Sequence, residues 1–147
     1  MNDRVDVALA CGADGVHVGQ DDLAVQDVRR ICGTQLVVGA STHSPEEAAA
    51  AVEAGADYLG VGAMFSSTTK PAVAATGLAY LQHVLRAHPG VAHLAIGGIH
   101  PQNAAQLAAA GARGVAVSSC VCAADDPAAV VRALRQCMEC GAAAAAQ

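Results

Sequence analysis

The segment Ala8 to Gly19 reads ALACGADGVHVG, and its pattern returns twice further along the chain. Val52 to Gly62 reads VEAGADYLGVG, and Leu107 to Ser118 reads LAAAGARGVAVS. Each copy has an alanine-rich helical turn, a glycine suited to the left-handed conformation that ends a helix, and a short valine-rich strand. The repeat therefore predicts three helix-to-strand transitions, the αβ half of a βαβ unit.

Further elements of the same kind lie between the copies. Gln35 to Ala40 and Ala92 to Gly97 read as strands, and their nearly continuous apolar character fits parallel strands covered on both faces. Leu23 to Cys32 and Leu78 to Ala87 read as helices. Helix starts are predicted at three prolines that follow capping residues or open a helical run: Ser44-Pro45-Glu46-Glu47, Pro101 and Asp126-Pro127.

Five strands alternating with five helices fit either an open doubly wound sheet or a barrel. A nucleotide-binding doubly wound fold would be expected to have a glycine-rich phosphate loop after its first strand. Neither G-x-G-x-x-G nor a P-loop is present there. Polar residues instead follow each strand in turn, which is typical of a barrel whose site is built by the loops at one end. The sequence therefore favours an α/β fold of the TIM (β/α)8 type.

Composition narrows the class of protein. The chain has 147 residues, of which 54% are hydrophobic and 14% charged, so it can bury a core and forms one domain. A net charge of −5 argues against a nucleic-acid partner. No apolar run approaches the roughly 20 residues of a membrane helix, and no signal peptide is recognisable, so we expect a cytoplasmic location and no membrane partner.

The six cysteines are expected to be reduced thiols. Cys137 and Cys140 form a C-x-x-C, but no second pair has zinc-ligand spacing. Cys120 and Cys122 lie in a run that reads as a strand. We therefore expect small buried hydrophobic residues rather than a metal site.

The residues that follow the strands are the candidates for binding a metal ion and substrate phosphates. Two separated carboxylates suit Mg²⁺, which prefers oxygen ligands and keeps substrate phosphates in its remaining positions. A lysine beside hydroxyls suits a phosphate, and a glycine pair before a helix start suits a second anion. The pattern predicts a diphosphate substrate bridged by Mg²⁺ and a second phosphate site, built from Asn2-Asp3, Gln20-Asp21-Asp22, Ser41-Thr42-His43, Ser66-Ser67-Thr68-Thr69-Lys70, Gly97-Gly98 and Ser118-Ser119.

Each of these residues also has a purely structural interpretation. Asp21 and Asp22 could cap the helix near Leu23, and Ser41 to Ser44 could form only a turn and a cap. Asn2 and Asp3 could be a frayed terminus, Lys70 a solvated loop residue, and His17 a packed strand residue.

Taken together, the ordered motifs resemble the thiamine-phosphate synthase family. The matching runs span Asn2 to about Leu134, and they occur in the family's order and spacing. They are Asn2-Asp3-Arg4, Gly15 to Leu23, Ser41-Thr42-His43, Gly60-Val61-Gly62 with Phe65, Thr69-Lys70-Pro71, Ala95 to Ile99, and Gly114 to Ser118.

The resemblance implies a transferase that couples hydroxymethylpyrimidine diphosphate to thiazole phosphate, releases diphosphate and forms thiamine phosphate. By that analogy Asp3 and Asp22 bind Mg²⁺, and Lys70 and Ser41 serve catalysis. Asn2, Ser41 and Lys70 contact the pyrimidine diphosphate. The thiazole phosphate is held by a larger set: Ser67, Thr69, Gly98, Ser118 and Ser119.

Two departures from the family are visible. Ser67 stands where the family often has threonine, which keeps the hydroxyl. The family's Gln-x-Arg-x-Lys run, which grips the pyrimidine diphosphate, has no counterpart. We therefore expect an incomplete barrel that resembles the end of strand 3 through helix 8, with residues 1–140 as one partial domain and residues 141–147 as a disordered alanine-rich tail. Such a chain is expected to have little synthase activity alone and to self-associate through its open barrel edge.

Two other functions fit parts of the pattern. A thiazole tautomerase is a related barrel that binds thiazole phosphate without coupling it, but its members place a histidine near the position of Ala63. A non-catalytic remnant could bind phosphates or only self-associate. Calorimetry separates the three, because the synthase binds both substrates, the tautomerase only the thiazole phosphate, and a remnant neither.

Overall fold

The computed structural model describes residues 1–66 and 75–145. The strands are β1 Gly15–Val18, β2 Val37–Thr42, β3 Tyr58–Gly62, β4 Ala92–Ile96 and β5 Val115–Ala116. The helices are α1 Val5–Ala10, α2 Val25–Cys32, α3 Pro45–Glu53, α4 Gly77–Ala87, α5 Pro101–Ala109, α6 Ser119–Cys122 and α7 Pro127–Ala145. The five strands form one sheet in the order β1-β2-β3-β4-β5.

The three predicted helix-to-strand transitions are confirmed. Gly12, Gly55 and Gly111 all have positive φ angles, of 66°, 92° and 101°. Each lies two residues past the end of a helix, and a strand begins three or four residues later. Glycine reaches this conformation without the steric cost that a side chain would bring, so the chain can turn directly from helix into strand.

The predicted helix starts are confirmed as well. Helices α3, α5 and α7 begin at Pro45, Pro101 and Pro127. The Ser44 hydroxyl accepts a hydrogen bond from the Glu47 N–H at 3.2 Å. The Glu47 carboxylate reaches back past Ser44 and accepts the His43 N–H at 2.8 Å, so this capping arrangement is one residue wider than a capping box.

Contacts divide the chain into two compact units, where the sequence predicts a single domain. The first unit comprises residues 1–60 and 90–92, and the second comprises residues 61–89 and 93–147. In the first unit, β1 and β2 pair in parallel from Gly15↔Val37 to Val18↔Ala40. Arg29 ties α2 to the turns around β2 and β3, because its guanidinium donates to the carbonyls of Gly33, Leu36 and Gly55 and to the carboxylate of Asp57.

In the second unit, β4 and β5 pair in parallel with Ala95↔Val115 and Ile96↔Ala116. Helix α7 packs closely on α5 at Gly141, where an added Cβ would lie 2.4 Å from the Ala105 carbonyl oxygen. The helix continues through Ala145, so residues 141–145 are helical within the stretch where composition suggests a disordered tail.

The strand-like run around Cys120 and Cys122 is a short helix, α6, and that prediction is wrong. Two apolar residues near two serines satisfy the pattern of either element, and four residues are too few for periodicity to decide. All six cysteines are free thiols, as expected, but Cys122 and Cys140 are exposed and Cys120 and Cys137 only half-buried, so the prediction that these four are buried is wrong. Within residues 1–66 and 75–145, no helix has both the length and the apolar character to cross a membrane.

Candidate functional site

Asn2 and Asp3 lie beside β1 and are held by its backbone. Asn2 pairs with His17 in parallel, and the His17 N–H donates to the Met1 carbonyl at 2.9 Å. The Asp3 N–H donates to the His17 carbonyl at 2.8 Å. These bonds extend the parallel pairing by one short segment, so the frayed-terminus interpretation of these two residues is wrong.

The Asp3 carboxylate is oriented by an unusual backbone. Its φ angle is 61°, the one positive value among the described residues that are not glycine. Aspartate tolerates this left-handed conformation better than most residues, although at some cost in free energy. The Asn2 side-chain amide donates to Asp3 Oδ1 at 2.6 Å, so the carboxylate is fixed on one side and exposed on the other.

Asp22 is fixed in a different way. Its Oδ2 accepts the Gly19 N–H at 2.7 Å, which closes the loop that follows β1. Helix α2 begins at Val25 with Ala24 at its N-cap, and no side chain caps it. The interpretation of Asp21 and Asp22 as helix caps is therefore wrong, and the Asp22 carboxylate remains exposed at the end of the strand.

Both residues are thus bonded to one short stretch of backbone. The Asp3 N–H donates to the His17 carbonyl, and the Asp22 carboxylate accepts the N–H of Gly19, two residues further on. At the rise of an extended chain the Cα atoms of His17 and Gly19 are about 7 Å apart. Two carboxylates with exposed oxygens suit Mg²⁺, which takes few protein ligands and completes its shell with water or phosphate. The described residues contain no group of three or more His, Cys, Asp or Glu side chains that could hold a metal by themselves.

Ser41 lies on the next strand and faces His17. Its hydroxyl is 2.8 Å from His17 Nε2, and its carbonyl accepts a hydrogen bond from Gln20 Nε2 at 2.6 Å. Ser41 caps no helix, since that role belongs to Ser44. Its hydroxyl is therefore held in the same part of the first unit as Asp3 and Asp22.

In the second unit, Gly98 and Ser118 occupy matching positions. Each lies two residues beyond the paired residues Ile96 and Ala116, so they follow adjacent parallel strands at the same edge. The φ angle of Gly98 is 63°, and an added Cβ would lie 2.5 Å from the Ser66 carbonyl oxygen. Ser118 and Ser119 are exposed where α6 begins.

Asn103 is a residue that the sequence does not single out. It is buried on α5, its Nδ2 donates to the Gly98 carbonyl at 2.9 Å, and its Oδ1 accepts the His100 N–H at 2.9 Å. It therefore fixes the glycine loop from behind. The sequence feature that could have indicated Asn103 is its position three residues after His100, the N-cap of α5.

Three predicted site residues, Ser67, Thr69 and Lys70, lie outside the described residues. Their roles stay predictions.

The profile of the family described as thiamine monophosphate synthase (TMP-TENI) matches residues 1–121. This chain belongs to the thiamine monophosphate synthase family. The predicted family is thereby confirmed.

Relatives and solved structures agree with this assignment. The chain is 55% identical to the thiamine-phosphate synthase of Chloroflexus aurantiacus over 92% of its own length and 62% of the relative's. It is 45% identical to that of Pelotomaculum thermopropionicum over the same shares. The thiamine phosphate pyrophosphorylase of Pyrococcus furiosus superposes with a TM-score of 0.86 at 38% identity, covering 95% of this chain and 66% of that one.

The chain therefore spans about three fifths of the length of these curated relatives. The match over nearly all of its own length confirms the predicted α/β fold of the incomplete-barrel type.

Proposed function

We propose that this chain is part of a thiamine-phosphate synthase, the activity named for its relatives, that it binds the substrates with Mg²⁺ held by Asp3 and Asp22, and that it has little coupling activity alone. The observation that carries the proposal is that Asp3 and Asp22 are bonded to the backbone at the end of β1, the Asp3 N–H to the His17 carbonyl and the Asp22 carboxylate to the Gly19 N–H. Family membership supports the reaction type. A transferase that acts on small molecules needs neither nucleic acid nor membrane as a partner.

The reaction breaks the bond between the pyrimidine methylene carbon and the diphosphate oxygen, and the electron pair leaves with diphosphate. The thiazole nitrogen then donates its lone pair to the methylene carbon and forms the new C–N bond. When bound, Mg²⁺ supplies positive charge that stabilises the departing diphosphate. No protein nucleophile is required.

The residues of this chain bind and orient the two substrates. Asn2 and Ser41 offer an amide and a hydroxyl to the pyrimidine diphosphate in the first unit, and Lys70 offers its ammonium group to the leaving group. Gly98, Ser118 and Ser119, with Ser67 and Thr69, offer backbone amides and hydroxyls to the thiazole phosphate. Fixed donors of this kind need no reorganisation as charge develops.

The tautomerase alternative is less well supported. The position at which tautomerases are expected to place a histidine is Ala63, a side chain with no ionisable group. The close approach of Gly97, whose added Cβ would lie 2.6 Å from the Ala63 Cβ, leaves little space for a larger residue there.

Two finer proposals accompany the function. We infer a cytoplasmic location, which fits the six free cysteine thiols. We also infer self-association with a second copy of this chain through the open edge of the sheet, supported by the exposure of Leu94 and Ile96 on β4, next to the edge strand β5.

Calorimetry with hydroxymethylpyrimidine diphosphate tests the metal site. We expect binding that requires Mg²⁺ and that weakens by about tenfold or more in Asp22→Asn, since the carboxylate charge is lost. The asparagine oxygen can still accept the Gly19 N–H, so the loop is preserved. Asp21→Asn is the matched control, because Asp21 is an exposed neighbour with the same charge.

A coupling assay with both substrates, followed as fluorescence after oxidation of the thiamine phosphate product, tests the reaction itself, and we expect little turnover by this chain alone. Binding of thiazole phosphate alone would support the tautomerase. Binding of neither substrate would contradict the proposed function.

A further inference from the structure

The imidazole of His17 bridges two side chains from two other strands of the sheet. Its Nδ1 is 2.9 Å from the Tyr58 hydroxyl oxygen, and its Nε2 is 2.8 Å from Ser41 Oγ. The rings of His17 and Tyr58 are tilted by 33° with centroids 5.4 Å apart. The three residues belong to β1, β2 and β3 within the first unit, so they form a cross-strand chain of hydrogen bonds that ends at a proposed substrate contact.

Two glycines make room for the two rings. An added Cβ at Gly39 would lie 2.1 Å from Tyr58 Cζ, so the phenol ring occupies the space above that residue. An added Cβ at Gly60 would lie 3.2 Å from His17 Cε1. The backbone around the cluster is also fixed, because Gln20 holds the Ser41 carbonyl and Asp3 holds that of His17. The rings therefore have little freedom to take other positions.

The order of donors in these hydrogen bonds is set if the phenol hydroxyl, which can donate or accept, donates to His17. Burial raises the pKa of Tyr58, so its hydroxyl stays protonated at neutral pH. Among the described residues, the hydrogen-bond partner of this hydroxyl is His17 Nδ1. If the phenol donates, Nδ1 is the acceptor, and the proton of a neutral imidazole must lie on Nε2. Nε2 then donates to Ser41 Oγ, which turns the serine proton away from His17.

We propose that Tyr58 and His17 are positioning residues that hold Ser41 as a hydrogen-bond donor toward the pyrimidine diphosphate. The proposal rests on the proposed function, because that function makes Ser41 a substrate contact. It assigns no direct contact with substrate to His17 or Tyr58. Their effect is to select one tautomer and one hydroxyl direction before substrate binds, which lowers the cost of ordering the site.

The tautomer can be measured without substrate. Long-range ¹H–¹⁵N spectra of the whole chain report which imidazole nitrogen carries the proton, and the His17 signal is assigned by its loss in His17→Gln. We expect the Nε2–H tautomer in the unmodified chain and a mixture of both tautomers in Tyr58→Phe, which keeps the ring over Gly39 but removes the donor. Tyr80→Phe, the same change on α4, is the control and should leave the His17 signal unchanged. An Nδ1–H tautomer, or a His17 signal unaffected by Tyr58→Phe, would overturn the proposal.

Measurements of substrate binding test whether the direction of the Ser41 hydroxyl affects the affinity for the pyrimidine diphosphate. Calorimetry with the pyrimidine diphosphate and Mg²⁺ should show about threefold to tenfold weaker binding in Tyr58→Phe, the range for one impaired hydrogen bond. The double variant Tyr58→Phe with Ser41→Ala should bind no more weakly than Ser41→Ala alone, because Tyr58 acts through the serine. Fully additive losses, or unchanged binding in Tyr58→Phe, would contradict the positioning role.

The two measurements distinguish a failure of the proposed function from a failure of the positioning proposal. If the unmodified chain binds no pyrimidine diphosphate, the proposed function fails and with it the role of Ser41 toward substrate. The tautomer spectra then still decide whether Tyr58 and His17 set the direction of the Ser41 hydroxyl.

Discussion

Gly39 shows how a single residue shapes the site. Since an added Cβ would lie 2.1 Å from the Tyr58 ring, Gly39→Ala must displace the phenol from His17. We expect a loss of about 1–3 kcal/mol in the free energy of unfolding, the usual cost of forcing atoms into a packed region. Urea denaturation measures it. Gly90→Ala, where an added Cβ meets nothing within 4 Å, is the matched control and should be nearly neutral. Equal stability of the two variants would contradict the packing described for Tyr58.

Asp57 links stability to pH. Burial raises the pKa of Asp57, but the Val38 N–H and the Arg29 guanidinium outweigh burial, so its pKa lies below the ordinary value. A carboxylate with a lowered pKa in the folded state stabilises the protein above its unfolded pKa of about 4, and this contribution is lost as the pH falls through the folded pKa.

We therefore expect Asp57→Asn to lower the free energy of unfolding at neutral pH by about 1 kcal/mol or less, since the Asp57 side chain is 48% exposed. The difference from the unmodified chain should shrink as the pH falls to about 3. Denaturation at a series of pH values measures it, with the exposed Asp125→Asn as the control. A difference that grows on acidification would show that the sign is wrong.

At the scale of elements, the close packing of α7 on α5 depends on Gly141. An added Cβ would lie 2.4 Å from the Ala105 carbonyl oxygen and 2.8 Å from the Ala108 Cβ. Gly141→Val should push the helices apart and cost about 1–3 kcal/mol in thermal or urea unfolding. Ala142→Val adds a similar side chain at an exposed position of the same helix and should cost much less. If both variants unfold alike, the contact at Gly141 does not stabilise the chain.

Most elements were predictable from the sequence because local chemistry defines their ends. Glycine permits the turn from helix to strand at Gly55, and proline with a preceding capping residue starts α3 at Pro45. Strand β2 begins two residues later than predicted, at Val37, because strand ends depend on pairing with β1 rather than on composition. The short helix α6 was missed for lack of periodicity.

The candidate site was only partly predictable. Asp3, Asp22 and Ser41 are singled out by the sequence because polar residues that follow parallel strands meet at one edge, and their roles stay predictions. The hydrogen-bonded partners of Ser41 were not found, because His17 and Tyr58 reach it through sheet register, which spacing along the chain does not encode. The sequence also allowed Asp22 to be a helix cap. The structure excludes this, because the Asp22 carboxylate accepts the Gly19 N–H in the loop after β1.

At the scale of the whole molecule, self-association should depend on the exposed apolar residues of the sheet. Leu94 on β4 is 37% exposed. We expect sedimentation velocity to show concentration-dependent association that Leu94→Lys weakens, because a charge opposes burial between copies. Ile31→Lys on α2 is the control, since Ile31 is 51% exposed but lies on a helix rather than the sheet. Equal association of both variants would place the contact elsewhere.

The central claim is that Asp3 and Asp22 share one divalent ion with the pyrimidine diphosphate. Mn²⁺ binds the oxygen ligands that suit Mg²⁺, and its enhancement of water-proton relaxation rises when it is held on a macromolecule. With the pyrimidine diphosphate present, we predict strong enhancement by the unmodified chain and by Asp21→Asn, and little by Asp3→Asn or Asp22→Asn. Undiminished enhancement in either of the last two variants would contradict the account.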